Sequence, residues 1–130
     1  MTDIIIDPEN LADAIQDQLD LFVQEKVSAI NSVGQKAIKK LVKLTKAAAP
    51  KRKGNYAKAI THTAKPDPVT GLQEFTWGAR APFHRLTHLL VHGHEAKDGG
   101  RVAGDPFLQN ALDVVLPEYE VDVEEVLHDD

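Results

Sequence analysis

The 130-residue sequence has no cysteine, which excludes disulfides and thiolate metal ligands. Serine occurs twice, as Ser28 and Ser32, and neither sits in the GxSxG elbow of a hydrolase nucleophile. No HExxH zinc motif is present, because Leu89 stands where the general-base Glu would follow His88. The segment GQKAIKK lacks the first glycine and the spacing of a phosphate-binding loop. The N-terminal MTDIIIDPEN has neither the basic flank nor the apolar length of a signal peptide or membrane span. A soluble, non-enzymatic chain is therefore expected, and an intracellular setting fits it. The length suits one domain over residues 1–130, with a modest core.

Charge is present but sorted. Residues 1–25 carry seven acidic side chains and no basic one; residues 27–66 carry ten Lys or Arg and no Asp or Glu. Residues 105–130 carry nine acidic side chains and no Lys or Arg. Such zoning suits complementary faces meeting in an assembly, or a basic surface for nucleic acid.

Hydrophobic periodicity organises the chain. From Asp7 as N-cap and Pro8 as first helical residue, Leu11, Ile15, Leu19, Phe22, Ile30, Val33, Ala37, Leu41 and Leu44 recur at spacings of three or four or their multiples. They predict one long helix with an apolar stripe, ended by Pro50 and open to a kink at Gly34. Its acidic first half and basic second half match the helix macrodipole. After the polar loop PKRKGN, YAKAITHTA has mixed helix and strand character, and KPDPVTG is a turn. LQEFTWGA alternates Leu72, Glu74 and Thr76 against Gln73, Phe75 and Trp77, so a hairpin of ITHTA with LQEFTWGA is expected. RLTHLLVHG fits a helix or a strand. Leu86, Leu89 and Leu90 are expected to anchor it to the core, with Gly93 turning the chain into a flexible loop over residues 94–104. Asp105 as N-cap and Pro106 as first residue start a last helix, kinked or restarted at Pro117, with a frayed tail over 128–130.

Two clusters are candidates for chemistry. His84, His88, His92 and His94 invite a metal-site reading, since neutral imidazole ligates zinc and an i, i+4 pair can grip one ion. On a helix, however, His84 and His92 lie about 12 Å apart along the axis, too far to share an ion. The alternatives are histidines that satisfy polar groups around a tight corner, or a pH-sensitive contact. Neither a metal nor a cofactor is expected. The second cluster is basic: Lys36, Lys39, Lys40, Lys43 and Lys46 on the helix, then Lys51, Arg52, Lys53 and Lys58. Phosphate contact needs only such positive charge, although Tyr56 is the one aromatic nearby for base stacking. A solvated helix face, or pairing with a neighbour's acidic helix, would use the same residues.

The long helix ending in AAAPKRKGNYAKAI, followed by a β-region and HRLTHLLVHGHEAKDGGRVAGDPFLQNAL, resembles a family of small structural proteins of tailed bacteriophages and prophages. This is the tail-completion or head–tail joining family, often described as minor capsid or tail components. The resemblance spans about residues 11–116; His92 stands where the family often has Glu before Gly-His. It implies an α+β subunit, with a long N-terminal helix packed on a small antiparallel sheet and a C-terminal helix. It also implies a virion protein without catalytic activity, assembled in the bacterial cytoplasm as an oligomeric ring at the neck or upper end of the tail. The free subunit could still be a monomer. Implied partners are copies of itself, neck or head-completion proteins, the tail tube protein, and DNA passing through the lumen, with no membrane. On this reading Lys51, Arg52, Lys53, Lys97, Gly99, Gly100 and Arg101 are candidate subunit contacts, and Lys36, Lys39, Lys40 and Lys43 candidates to face the DNA channel. The rival readings are a nucleic-acid-binding module using residues 36–58 and, third, a histidine-dependent metal hydrolase.

Overall fold

The computed structural model describes residues 8–50, 55–96 and 98–128, with the side chains of 8–10 set aside. The expected N-cap Asp7 and the candidate contacts Lys51, Arg52, Lys53 and Lys97 lie outside the described residues. Helix α1 spans Pro8–Ala48, and the short α2 (Asn55–Ala59) leads into strand β1 (Ile60–Pro66). Strand β2 (Gln73–Ala79), helix α3 (His84–His92), strands β3 (His94–Glu95) and β4 (Arg101–Val102), and helix α4 (Phe107–His128) follow. The architecture is α+β: a long helix and a C-terminal helix packed with a small antiparallel hairpin.

The apolar stripe of α1 continues to Leu44 in steps of four, four and three, an eleven-residue repeat in which Lys26 takes the one non-apolar place. That repeat corresponds to about 3.67 residues per turn, so the stripe stays on one side of a nearly straight helix. Gly34 does not break it. A Cβ there would come 2.6 Å from the Phe75 ring, so the glycine makes room for β2 to lie against the helix.

The two helices run antiparallel. The Lys26 ammonium donates to the Val126 carbonyl at 2.6 Å, near the C-terminus of α4, where a cation complements the helix dipole. Further along, Lys40 pairs with Glu118 at 2.6 Å. Between the two helices Ile38 and Leu41 pack on Ala111 and Val115, with Phe75, Trp77, Leu108 and Leu112 at the margin. A second cluster, Ala49, Tyr56, Ile60 and Phe107, joins the first through Trp77 and Leu108. Tyr56 meets Phe107 edge-on at 6.2 Å between ring centroids.

β1 and β2 pair from Ile60↔Ala79 to Pro66↔Gln73, placing Phe75 and Trp77 on the core side as the alternation predicts. Their turn is held by the Asp67 carboxylate, which accepts the Val69 and Thr70 N–H groups; these bonds lower its pKa. Asn31 on α1 fastens the turn from outside, donating to the Gly71 carbonyl and accepting the Gln73 N–H.

One buried polar contact orders the centre. Thr45, fully buried, donates to the Leu41 carbonyl at 2.7 Å and accepts the Trp77 indole N–H at 2.9 Å. The indole therefore enters the core without an unpaired donor.

α4 begins as expected, with Asp105 Oδ1 accepting the Phe107 N–H at 2.9 Å. It runs unbroken through Pro117 to His128, so the expected restart is absent. Two other expectations change. Leu86 and Leu89 are exposed, and Leu90, with Phe83 and Val91, makes the core contact of α3. Within residues 94–104 the chain forms a hairpin, pairing His94↔Val102 and Glu95↔Arg101.

Candidate functional site

Helix α1 carries the charged candidates. Lys36, Lys39, Lys43 and Lys46 are all exposed, and their spacing of three and four residues sets them along one outer edge. They lie on the far side of the helix from the buried Gly34, Ile38, Leu41 and Thr45. No ion pair holds these four among the described residues. Lys40, another channel-facing candidate, differs from these four in that both Glu118 carboxylate oxygens take its ammonium, at 2.6 and 2.8 Å. Packed beside α1, α4 presents Asp113, Glu118, Glu120, Glu124 and Glu125 as exposed carboxylates. The subunit thus carries a cationic helix edge and an anionic helix, which meet where Lys36 faces Asp122 and Glu125 across a cleft and Lys40 bonds Glu118.

The corner after α3 is built on backbone contact. Gly93 has φ +77°, its N–H bonds to the Leu89 carbonyl, and Asp105 N–H bonds to the Leu90 carbonyl. A Cβ at Gly93 would overlap the Val102 carbonyl oxygen, and one at Gly104 would overlap that of Val91. The two strands of the corner therefore cross backbone on backbone, which glycine alone permits. Beyond the crossing, Gly99, Gly100 and Arg101 are exposed as a contact surface requires. The Arg101 guanidinium, however, bonds the His92 carbonyl at 2.9 Å, so part of its donor capacity is used within the chain.

The histidines divide. His88 and His92 lie side by side on the exposed face of α3, ring centroids 4.8 Å apart. His84 occupies the first turn of the same helix, while His94 follows the corner and buries an Nδ1 that has no hydrogen-bond partner. Among the described residues no three His, Asp or Glu side chains come together where they could hold one ion.

Sequence reasoning found the apolar stripe but not where its cover ends. α4 reaches Lys26 and the β1–β2 turn reaches Val23, so among the described residues the part of α1 before Val23 extends about 22 Å past the body. Leu11, Ile15, Leu19 and Phe22 are 47, 51, 53 and 54% exposed there, whereas Ile30, Val33, Ala37, Leu41 and Leu44 on the same stripe are half-buried or buried. The signal was available in the lengths: α1 has 41 residues and α4 has 22.

Among the described residues no helix is long and apolar enough to cross a membrane. Compared with known proteins, the chain matches no family profile, no curated protein and no solved structure.

Proposed function

We propose that this chain is a structural subunit of a phage or prophage virion, of the tail-completion kind, acting by assembly at the junction of head and tail. The observation that carries the reading is the division of the surface into zones that a single copy cannot satisfy. An exposed lysine edge, an anionic C-terminal helix and an apolar stretch of α1 left exposed among the described residues lie on one subunit. Zones of this kind suit head-to-tail contact between neighbours, which closes into a ring when the rotation allows. The resemblance to the joining family over about residues 11–116 suggests the location, and the neck and tail tube proteins as partners. DNA passing through the lumen is the polyanion that the lysine edge would face.

The test is deletion of the coding sequence from the phage or prophage genome that carries it, followed by electron microscopy of the particles. Separate filled heads and finished tails are expected. Intact virions would refute the reading.

A second reading is a nucleic-acid-binding module. The run of exposed Lys36, Lys39, Lys43 and Lys46 along one edge favours it. It requires duplex affinity that falls steeply with salt, and a shallower salt dependence when Lys39 and Lys43 are replaced by Gln.

A further inference from the structure

The fold makes no use of the close approach of His88 and His92, whose rings stand outside both core clusters. A spacing of four residues sets them about 40° apart around α3 and one turn apart along it. Their ring centroids are 4.8 Å apart and the ring planes are inclined by 54°. Both residues are exposed, and among the described residues neither side chain makes a hydrogen bond that would tie up its nitrogens. The other pair at this spacing, His84 and His88, makes no ring contact among the described residues.

We propose that His88 and His92 form a two-histidine binding site for a divalent transition-metal ion of the zinc, nickel or copper kind. The ring separation carries the proposal. An imidazole nitrogen binds zinc at about 2.0–2.1 Å, and the ring centre lies roughly 1.1 Å behind that nitrogen. Two such rings set about 90–110° apart around one ion have their centres about 4.4–5.2 Å apart. The observed 4.8 Å falls inside that interval. The rings can therefore meet one ion by turning about their side-chain bonds, with the helix left as it is.

The donor set selects the ion. Imidazole suits zinc, copper and nickel, whereas magnesium and calcium take oxygen ligands, and α3 has no carboxylate. Arg85, a turn before His88, opposes any cation, but it is exposed and salt screens it. Catalytic zinc usually has three protein ligands and a nearby base. With two ligands and no carboxylate on the helix, this ion would act as a staple, its remaining positions filled by water. The helix is one that gains from a staple. It has nine residues, no side-chain hydrogen bond at its N-cap Phe83, and no fully buried residue. A helix so short is marginal without outside support. An ion held by His88 and His92 would close its last turn, immediately before the Gly93 corner.

This inference goes beyond the assembly reading and does not rest on it. The test is calorimetric titration of the untagged full-length chain with zinc chloride, and then with nickel chloride, in a buffer that does not chelate. One ion per chain is expected, with no uptake of magnesium at the same concentrations. His88→Ala and His92→Ala should each weaken binding at least tenfold, and His84→Ala should leave it unchanged. All three positions are exposed, so the substitutions leave the fold intact. Amide hydrogen exchange supplies the second readout. Saturating zinc should slow exchange at His92 and at Gly93, whose N–H bonds the Leu89 carbonyl, in the wild type and not in His88→Ala. Absence of zinc and nickel binding overturns the inference. So does binding that survives His88→Ala with His92→Ala, which assigns the ion to the acidic segments as an adventitious ion only. Equal loss in His84→Ala overturns the choice of pair, and binding without slowed exchange overturns the staple.

Discussion

Replacing Thr45 by Val should test how the core is specified. Valine has nearly the shape of threonine, so packing is kept while the hydroxyl is lost. In the native chain that hydroxyl accepts the Trp77 indole N–H at 2.9 Å and donates to the Leu41 carbonyl at 2.7 Å. The Leu41 carbonyl still receives its helical N–H after the change, but the indole is left without an acceptor. An unsatisfied buried donor costs about 1–3 kcal/mol. The added methyl returns at most about 0.8 kcal/mol. A net loss of about 1.5 kcal/mol follows, and with an m-value of about 2 kcal/mol/M it lowers the urea midpoint by roughly 0.7 M. Trp77 is the chain's one tryptophan, so its fluorescence reports both the transition and the local change. Thr45→Ser is the control, since it keeps both hydrogen bonds and loses one methyl. If Thr45→Val unfolds at the wild-type midpoint, or is more stable than Thr45→Ser, the hydrogen bond does not govern the site and the reasoning fails.

Gly104→Ala should destabilise by about 1–3 kcal/mol, because its Cβ meets the backbone of Val91 rather than a movable side chain; a thermal melt unchanged from wild type would contradict this. Burial pushes the Tyr56 phenol above its ordinary value of 10.0, against a smaller lowering by the Thr87 hydrogen bond. The unfolded chain then loses that proton first, so Tyr56 makes stability fall as pH rises past about 10 and up to its folded value. Denaturation of Tyr56→Phe over the same range should lack that part of the decline. The Lys40–Glu118 pair is partly exposed, so a double-mutant cycle should give a coupling of about 0.2–1 kcal/mol that shrinks in salt. A larger, salt-independent coupling would show that solvent does not screen it.

The elements readable in the sequence were those set by local chemistry. Asp105 and Pro106 announce α4 because a carboxylate must take the orphan N–H of Phe107. Pro50 limits α1, and the alternation around Phe75 and Trp77 gives the hairpin its inner face. What could not be read depends on the partner across space. Leu86, Leu89 and Leu90 look alike in sequence, and the tilt of α3 on Phe107 and Ile60 decides that Leu90 is the one covered. Gly34 reads as a flaw in a helix until the Phe75 ring is seen to occupy the space of its missing side chain. The lysine edge was legible as composition, but the engagement of Lys40 by Glu118 joins positions 78 residues apart. Pro117 looked disruptive, yet α4 continues through it to His128.

The eleven-residue repeat of α1 makes the overhang a spacer whose reach changes in fixed quanta. Three turns bring the helix back almost to the same azimuth, so inserting or removing one repeat before Lys26 moves the tip by about 16 Å and leaves the apolar side facing where it did. An insertion of two residues would swing Leu11 and Ile15 through more than half a turn at little change in length. Length and facing are thus separately adjustable in this helix, and variants with longer or shorter arms can measure a distance to whatever the tip must reach.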